Sequence, residues 1–189
     1  PAEEGLGGAK AMIDDGLFDK FPCDRVYAMH NGPGIAVGKF ASVPGIRTAA
    51  GAFFDIKVIG KGGHGAFPQF AIDPITIAAE IIGAIQTIIS RTTSPNDSAV
   101  LSITKVHAGD AYNVIPESAM LSGTVRTFTI EKMQEIEQQM VSISKGISKA
   151  HGGTALVEFN TLFLPVLNEE EATDLATEVC GDMVGRDNV

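Results

Sequence analysis

Cysteine is scarce in this chain. Cys23 and Cys180 are the only two among 189 residues. Neither belongs to a C-x-x-C pair, which excludes a zinc knuckle and a dithiol redox motif; each reads as a buried thiol. Basic residues are outnumbered, 14 Lys and Arg against 23 Asp and Glu, for a net charge of −9. They form no run, so the chain suits neither nucleic acid nor an anionic membrane surface, and the acidic excess serves solubility. No uninterrupted apolar run is expected to span a membrane, since the isoleucine-rich stretch from Ile75 to Ile89 is broken by Thr76, Glu80, Gln86 and Thr87. The G-x-S-x-G, H-E-x-x-H and P-loop patterns are all missing. An initiator Met is missing too: the chain opens on Pro1, as a processed or excised segment of a longer protein would.

What is present is ordinary globular material. Apolar residues make up 44 % and charged residues 20 %, a balance that excludes a disordered chain. In the first stretch, Ala9, Met12 and Ile13 recur at helical spacing and Gly16 is a stop signal. Arg25 to Met29 reads as a short extended run ending at His30, and Val37 to Phe40 as a second short strand. Residues 1–48 are too few to bury a core and read as pieces of a larger domain.

From Ala52 the pattern changes. Phe54, Ile56 and Val58 alternate with Asp55 and Lys57, the period of a half-buried strand. Asp73 and Pro74 then open a helix, as N-cap and first helical residue, that runs to about Arg91. Strands are expected over 100–107 and 119–128, with a loop at 109–116 between them. Thr129 caps a second helix whose apolar residues Met133, Ile136, Met140, Ile143 and Ile147 form one stripe. Gly152 and Gly153 end it, and 154–159 is a fourth strand. The order is βαββαβ, an α+β, ferredoxin-like plan with both helices on one face of an antiparallel sheet. A last helix, with Asn168 as its cap and Leu175, Val179 and Met183 as its apolar side, falls outside that plan. The expected organisation is therefore an inserted domain over 49–163, flanked by partial segments of another domain at 1–48 and 164–189.

Several polar residues are candidates for chemistry. Glu3 and Glu4 are adjacent acids: in a metal site one binds the ion while its neighbour handles a proton, and in the ordinary case both are solvated. His30 follows a strand and precedes Asn31-Gly32-Pro33, where it is either structural or a metal ligand. His64 lies in GKGGHGAFP. Gly60, Gly62 and Gly65 match G-x-G-x-x-G, but Ala66 to Ile72 delay the helix and no acid is placed for a ribose, so a dinucleotide site is rejected. The segment reads instead as a flexible or closely packed loop that presents His64. Asn113 sits in the loop AYNVIP, and Arg126 in the strand TVRTF suits a carboxylate partner. Ser142-x-x-Lys145 falls in mid-helix and reads as surface.

Taken in order, PAEEGLGGAKAMIDDGLFD, MHNGPG, GKGGHGAFP, HAGDAYNVIPE and GTVRTF resemble one family, the metal-dependent amidohydrolases of the aminoacylase and carboxypeptidase kind, which include hippurate hydrolase and N-acyl-amino-acid amidohydrolases. The resemblance covers nearly the whole chain. It implies that 49–163 is a lid and dimerisation domain inserted in an α/β metallopeptidase-type catalytic domain. It implies hydrolysis of the amide bond of small N-acyl amino acids, hippurate-like substrates, by the parent enzyme. Glu3 would be the general base, and Glu4 and His30 metal ligands. His64 would steady the oxyanion in the partner subunit's site, and Asn113 and Arg126 would bind substrate. Two divalent ions are implied, manganese or zinc first and cobalt or nickel as alternatives, in a cytoplasmic homodimer formed through the lid. The competing reading is a stand-alone ferredoxin-like module that dimerises or binds a small ligand. An inactive paralogue is a third.

The family's Cys-x-His pair and its later His are not in this segment. The isolated chain is therefore expected to lack a complete two-metal site and amidase activity. An assay with manganese or zinc and an N-acyl amino acid checks this; robust turnover contradicts it.

Overall fold

The computed structural model describes residues 7–189. In chain order the elements are α1 (Gly8–Asp14), α2 (Leu17–Lys20), β1 (Gly45–Thr48), β2 (Ala50–Ile59), β3 (Gly63–His64) and α3 (Pro74–Thr87). There follow β4 (Ala99–Ala108), β5 (Val114–Ile115), β6 (Ser118–Thr127), α4 (Ile130–Ala150), β7 (Thr154–Phe163), β8 (Val166–Asn168) and α5 (Glu170–Val184). Two compact units result: residues through Thr48 with Val166–Val189, and Ala49–Pro165.

The unit Ala49–Pro165 is an antiparallel sheet in the order β4-β6-β2-β7, backed by α3 and α4 on one face. That is the βαββαβ plan read from the order of periodic segments. The alternation in β2 explains the layering. Ala50, Ala52, Phe54, Ile56 and Val58 are buried while Phe53, Asp55 and Lys57 are exposed, so one face meets the helices and the other stays open. Strand β6 contributes Ala119, Leu121 and Val125 to the same core.

Both helices start where their caps dictate. The Asp73 carboxylate accepts the Ile75 N–H at 2.8 Å ahead of Pro74, and the Thr129 hydroxyl accepts the Lys132 N–H at 3.2 Å. Helix α3 seats Ile77, Ala78, Ile81 and Ile85 on the sheet and then widens into a π turn over Ile88–Thr92. The sequence expectation about this stretch needs one correction. Pro74–Thr92 is 19 residues with a mean hydropathy of 1.2, which by length and composition is enough to cross a membrane. Ile77, Ile81, Ile85 and Ile88 pack against the sheet, while 28% of the span is buried and Ile75 is exposed.

Helix α4 buries Met133, Ile136 and Met140 as its stripe requires, but the buried line then passes to Ser144 and Ser148. Ile143 and Ile147 flank it, half-buried against the core. From Ile136 onward the buried positions recur every four residues, slower than the 3.6-residue turn, so the contact line drifts around the helix. Small side chains there let α4 lie close to β7, where Ala155 is buried. Ser142 and Lys145 are exposed on the opposite side.

In the other unit β1 pairs antiparallel with β8. Gly16, with φ of 81°, separates α1 from α2. Neither Arg25 to Met29 nor Val37 to Phe40 is a strand, because among the described residues neither segment has a partner strand to bond. Cys23 is exposed and Cys180 half-buried, so neither is the buried thiol expected from composition. The cap of α5 is Glu169 rather than Asn168. The Glu169 carboxylate accepts the Ala172 and Glu171 N–H groups, which hold it below the usual carboxylate range, and Asn168 instead donates to the Val43 carbonyl. Leu175, Val179 and Met183, the apolar side of α5, are exposed.

The Ser144 and Ser148 hydroxyls are buried without a hydrogen-bond partner. Because an unsatisfied hydroxyl costs free energy and Ala favours helix, Ser144→Ala with Ser148→Ala is expected to stabilise the fold by about 1 kcal/mol. A denaturant melt reads this as a raised midpoint; a clear fall contradicts it.

Candidate functional site

The segment between β2 and α3 is stitched by backbone on both sides. Gly60 N–H donates to the Glu117 carbonyl at 2.9 Å, and Lys61 and Ile72 exchange bonds at 2.8 and 2.9 Å. Strand β3 then pairs with β5, Gly63 opposite Ile115 and His64 opposite Val114, and Gly65 N–H donates to the Asn113 carbonyl at 2.8 Å. Of the two readings left open for this loop, close packing is the one observed. A Cβ on Gly60 would stand 2.1 Å from the Ile72 carbonyl oxygen, so a side chain is excluded there by the neighbouring backbone. The 109–116 loop is correspondingly not all loop: Val114–Ile115 is the strand that receives His64.

This ladder sets His64 opposite Val114, next to the Gly65–Asn113 backbone bond, on an exposed platform. The Ala66 N–H lies 3.1 Å from His64 Nδ1 and donates to it. That bond assigns the proton of the neutral ring to Nε2, which becomes an outward donor. The chain folds back at once, with Phe67 N–H donating to the His64 carbonyl at 2.8 Å. The two rings lie 5.5 Å apart, centroid to centroid, at a tilt of 52°. A cavity of about 370 Å³ beside β5 is lined by His107, Asp110, Val114 and Glu117 among others.

Arg126 is fixed by a different device. It lies in β6 opposite Gly51 of β2, which in turn lies opposite Phe163 of β7. A Cβ on Gly51 would fall 2.3 Å from the Phe163 ring. Its absence lets that ring extend across the central strand to within 5.4 Å of the Arg126 guanidinium carbon, a cation–π contact. Nη1 donates to the Thr124 hydroxyl and, at 3.0 Å, to the Val125 carbonyl. The guanidinium is thus pre-aimed, with Nη2 and Nε left for an incoming acceptor.

His64 and Arg126 do not come together within one copy. From Ser118 to Arg126 is eight positions along β6, about 26 Å at ~3.3 Å per residue, and the platform adjoins the Ser118 end. Even with both side chains extended, a small molecule could not touch the two in the same chain.

His30 is the remaining candidate within the described residues. It is exposed, and its Nδ1 lies 2.8 Å from the Asn31 carbonyl oxygen. Glu3 and Glu4 lie outside the described residues. Among the described residues, no three His, Cys, Asp or Glu side chains gather as a metal site would need. Sequence reasoning missed Phe67 and the Gly51–Phe163 pair. Phe67 carries a signal, three residues beyond His64 in a Pro-containing turn; Phe163 carries none, because a bulge next to Gly51 sets its register.

A peptidase dimerisation domain model matches residues 47–152, more than half of the chain. Hippurate hydrolase of Campylobacter jejuni is 43% identical over 188 residues, spanning 100% of this chain and 49% of that protein. N-acetyldiaminopimelate deacetylase of Brevibacillus brevis is 38% identical over 173 residues, 92% of this chain and 46% of that protein. Among solved structures, a Bacillus subtilis dinuclear metal-binding peptidase of the M20 family superposes with a TM-score of 0.72 at 32% identity, covering 97% of this chain and 45% of that one. The chain thus spans about half the length of the relatives it matches. By the domain matched and by likeness along its whole length, it belongs to the M20 peptidase family.

Proposed function

We propose that this chain is the central segment of a metal-dependent amidohydrolase that cleaves the amide bond of N-acyl amino acids, with hippurate-like compounds as substrates. The observation that carries the reading is the β3–β5 ladder, which holds the His64 imidazole on an exposed platform next to the Asn113 backbone. The 43% identity to a hippurate hydrolase supports the substrate class.

In this reading 49–163 is a lid, and the flanking segments, 1–48 and 164–189, belong to the catalytic domain. Glu4 and His30 are two of the ligands of a pair of divalent ions, manganese or zinc first. Bound ions supply an activated water and a polarised carbonyl. Glu3 takes a proton from the attacking water and delivers it to the leaving amine. His64 Nε2–H donates to the carbonyl oxygen as it gains negative charge, a contribution of ~10²–10³ in rate. Asn113 orients the substrate, and Arg126 grips the free carboxylate through Nη2 and Nε.

The distance between His64 and Arg126 gives the reading its quaternary requirement. A substrate that uses both must lie between two copies, taking His64 and Asn113 from one and Arg126 from the other. The homodimer is proposed to form along β4, the sheet edge where Val100 and Val106 are exposed, and along α3, where Ile75, Ala79 and Gly83 recur every four residues on exposed positions.

Mixed dimers of the full-length protein test this. Glu3→Gln and His64→Ala homodimers are each expected to be nearly inactive. Co-expressed, they should regain activity, because one site of the heterodimer then has Glu3 from one copy and His64 from the other. No recovery in a verified heterodimer contradicts the shared site.

A further inference from the structure

We propose that Phe67 is the residue that selects the acyl group, forming an aromatic wall that favours benzoyl-like over acetyl substituents. The inference rests on the amidohydrolase reading and goes beyond it by naming the side chain that makes the choice.

Phe67 is a large apolar side chain left 54% exposed, yet it is not loosely held. Its N–H is bonded to the His64 carbonyl, its own carbonyl accepts the Phe70 N–H at 3.2 Å, and Pro68 opens the short 3-10 turn Pro68–Phe70 behind it. Exposure of a single apolar side chain is ordinary; what singles out Phe67 is its position beside His64. A carbonyl oxygen accepting the His64 Nε2–H lies about 2.9 Å from that nitrogen, while the Phe67 ring stands 5.5 Å from the imidazole centroid. The two rings stand side by side, so an acyl group that extends from that carbonyl toward the Phe67 side of the imidazole meets the aromatic ring.

Two substituents compete for that place. The amino-acid side carries a carboxylate, which the electron-rich face of an aromatic ring repels and which Arg126 of the other copy is suited to receive. The acyl side carries no charge. A flat aromatic acyl group gains offset-stacked or edge-to-face contact on Phe67, and an acetyl group gains almost none.

The test uses the full-length metal-loaded protein, N-benzoylglycine and N-acetylglycine, and the variants Phe67→Ala and Phe67→Leu. The proposal expects Phe67→Ala to lower kcat/KM for the benzoyl substrate about 10-fold while changing the acetyl substrate less than about 3-fold, with Phe67→Leu between. An unchanged benzoyl-to-acetyl ratio overturns it, as does an equal fall on both substrates. So does loss of the dimer in sedimentation, which would assign the ring to a subunit contact. Hydrolysis of neither substrate by the unmodified protein removes the amidohydrolase reading and this inference together, which distinguishes that failure from a selective one.

Discussion

The register of β2 is the constraint on which the inserted domain depends. The strand is bonded to β6 on one side and β7 on the other, so its residues from Gly51 to Ile59 are each fixed against two neighbours. Its even-numbered positions from Ala50 to Val58 make the floor of the core. A slip of one residue would turn that floor to solvent and bring Asp55 and Lys57 under the helices, at a cost no local rearrangement could offset. The same register puts Gly51 between Arg126 and Phe163. One alignment of strands therefore determines both the hydrophobic core and the aim of the arginine.

The platform bearing His64 is built by different means. It has little core of its own, and β3 and β5 are two residues each. Close-fitting backbone does the work: Gly60, Lys61 and Gly65 each donate to a carbonyl across the loop. The length of β6 then keeps His64 and Arg126 apart. The family's domain is named for dimerisation, and this separation gives a physical reason for a second copy to matter in the chemistry proposed.

Most of the fold was legible in the sequence because its elements are long and periodic. Alternation in β2 and the 3-4 spacing in α4 each report a face, the isoleucines of α3 run around much of its circumference and so report a helix but not its face, and Asp73 and Thr129 mark where helices start. Short elements were not legible, since two residues carry no period, and β3 and β5 exist only through each other. Arg25 to Met29 and Val37 to Phe40 have strand-like composition, but a strand needs a partner. The cap of α5 moved by one residue because Asn168 and Glu169 are both capable of capping, and local propensity does not choose between them. Leu175, Val179 and Met183 read as the apolar side of α5, and all three are exposed.

The candidate site divides along the same line. His64 stood out because glycines crowd it, and Arg126 because a charge in a strand asks for a partner. Glu3, Glu4 and His30 gain meaning only from the order of motifs, since no local pattern joins them. The most direct measurement is anomalous diffraction from crystals of the full-length protein loaded with manganese. The account predicts two metal peaks bounded by Glu4 and His30 of one copy, with the His64 imidazole of the other copy facing them across the substrate space. Metal peaks remote from Glu4 and His30, or a His64 that faces no metal pair in either copy, would contradict it.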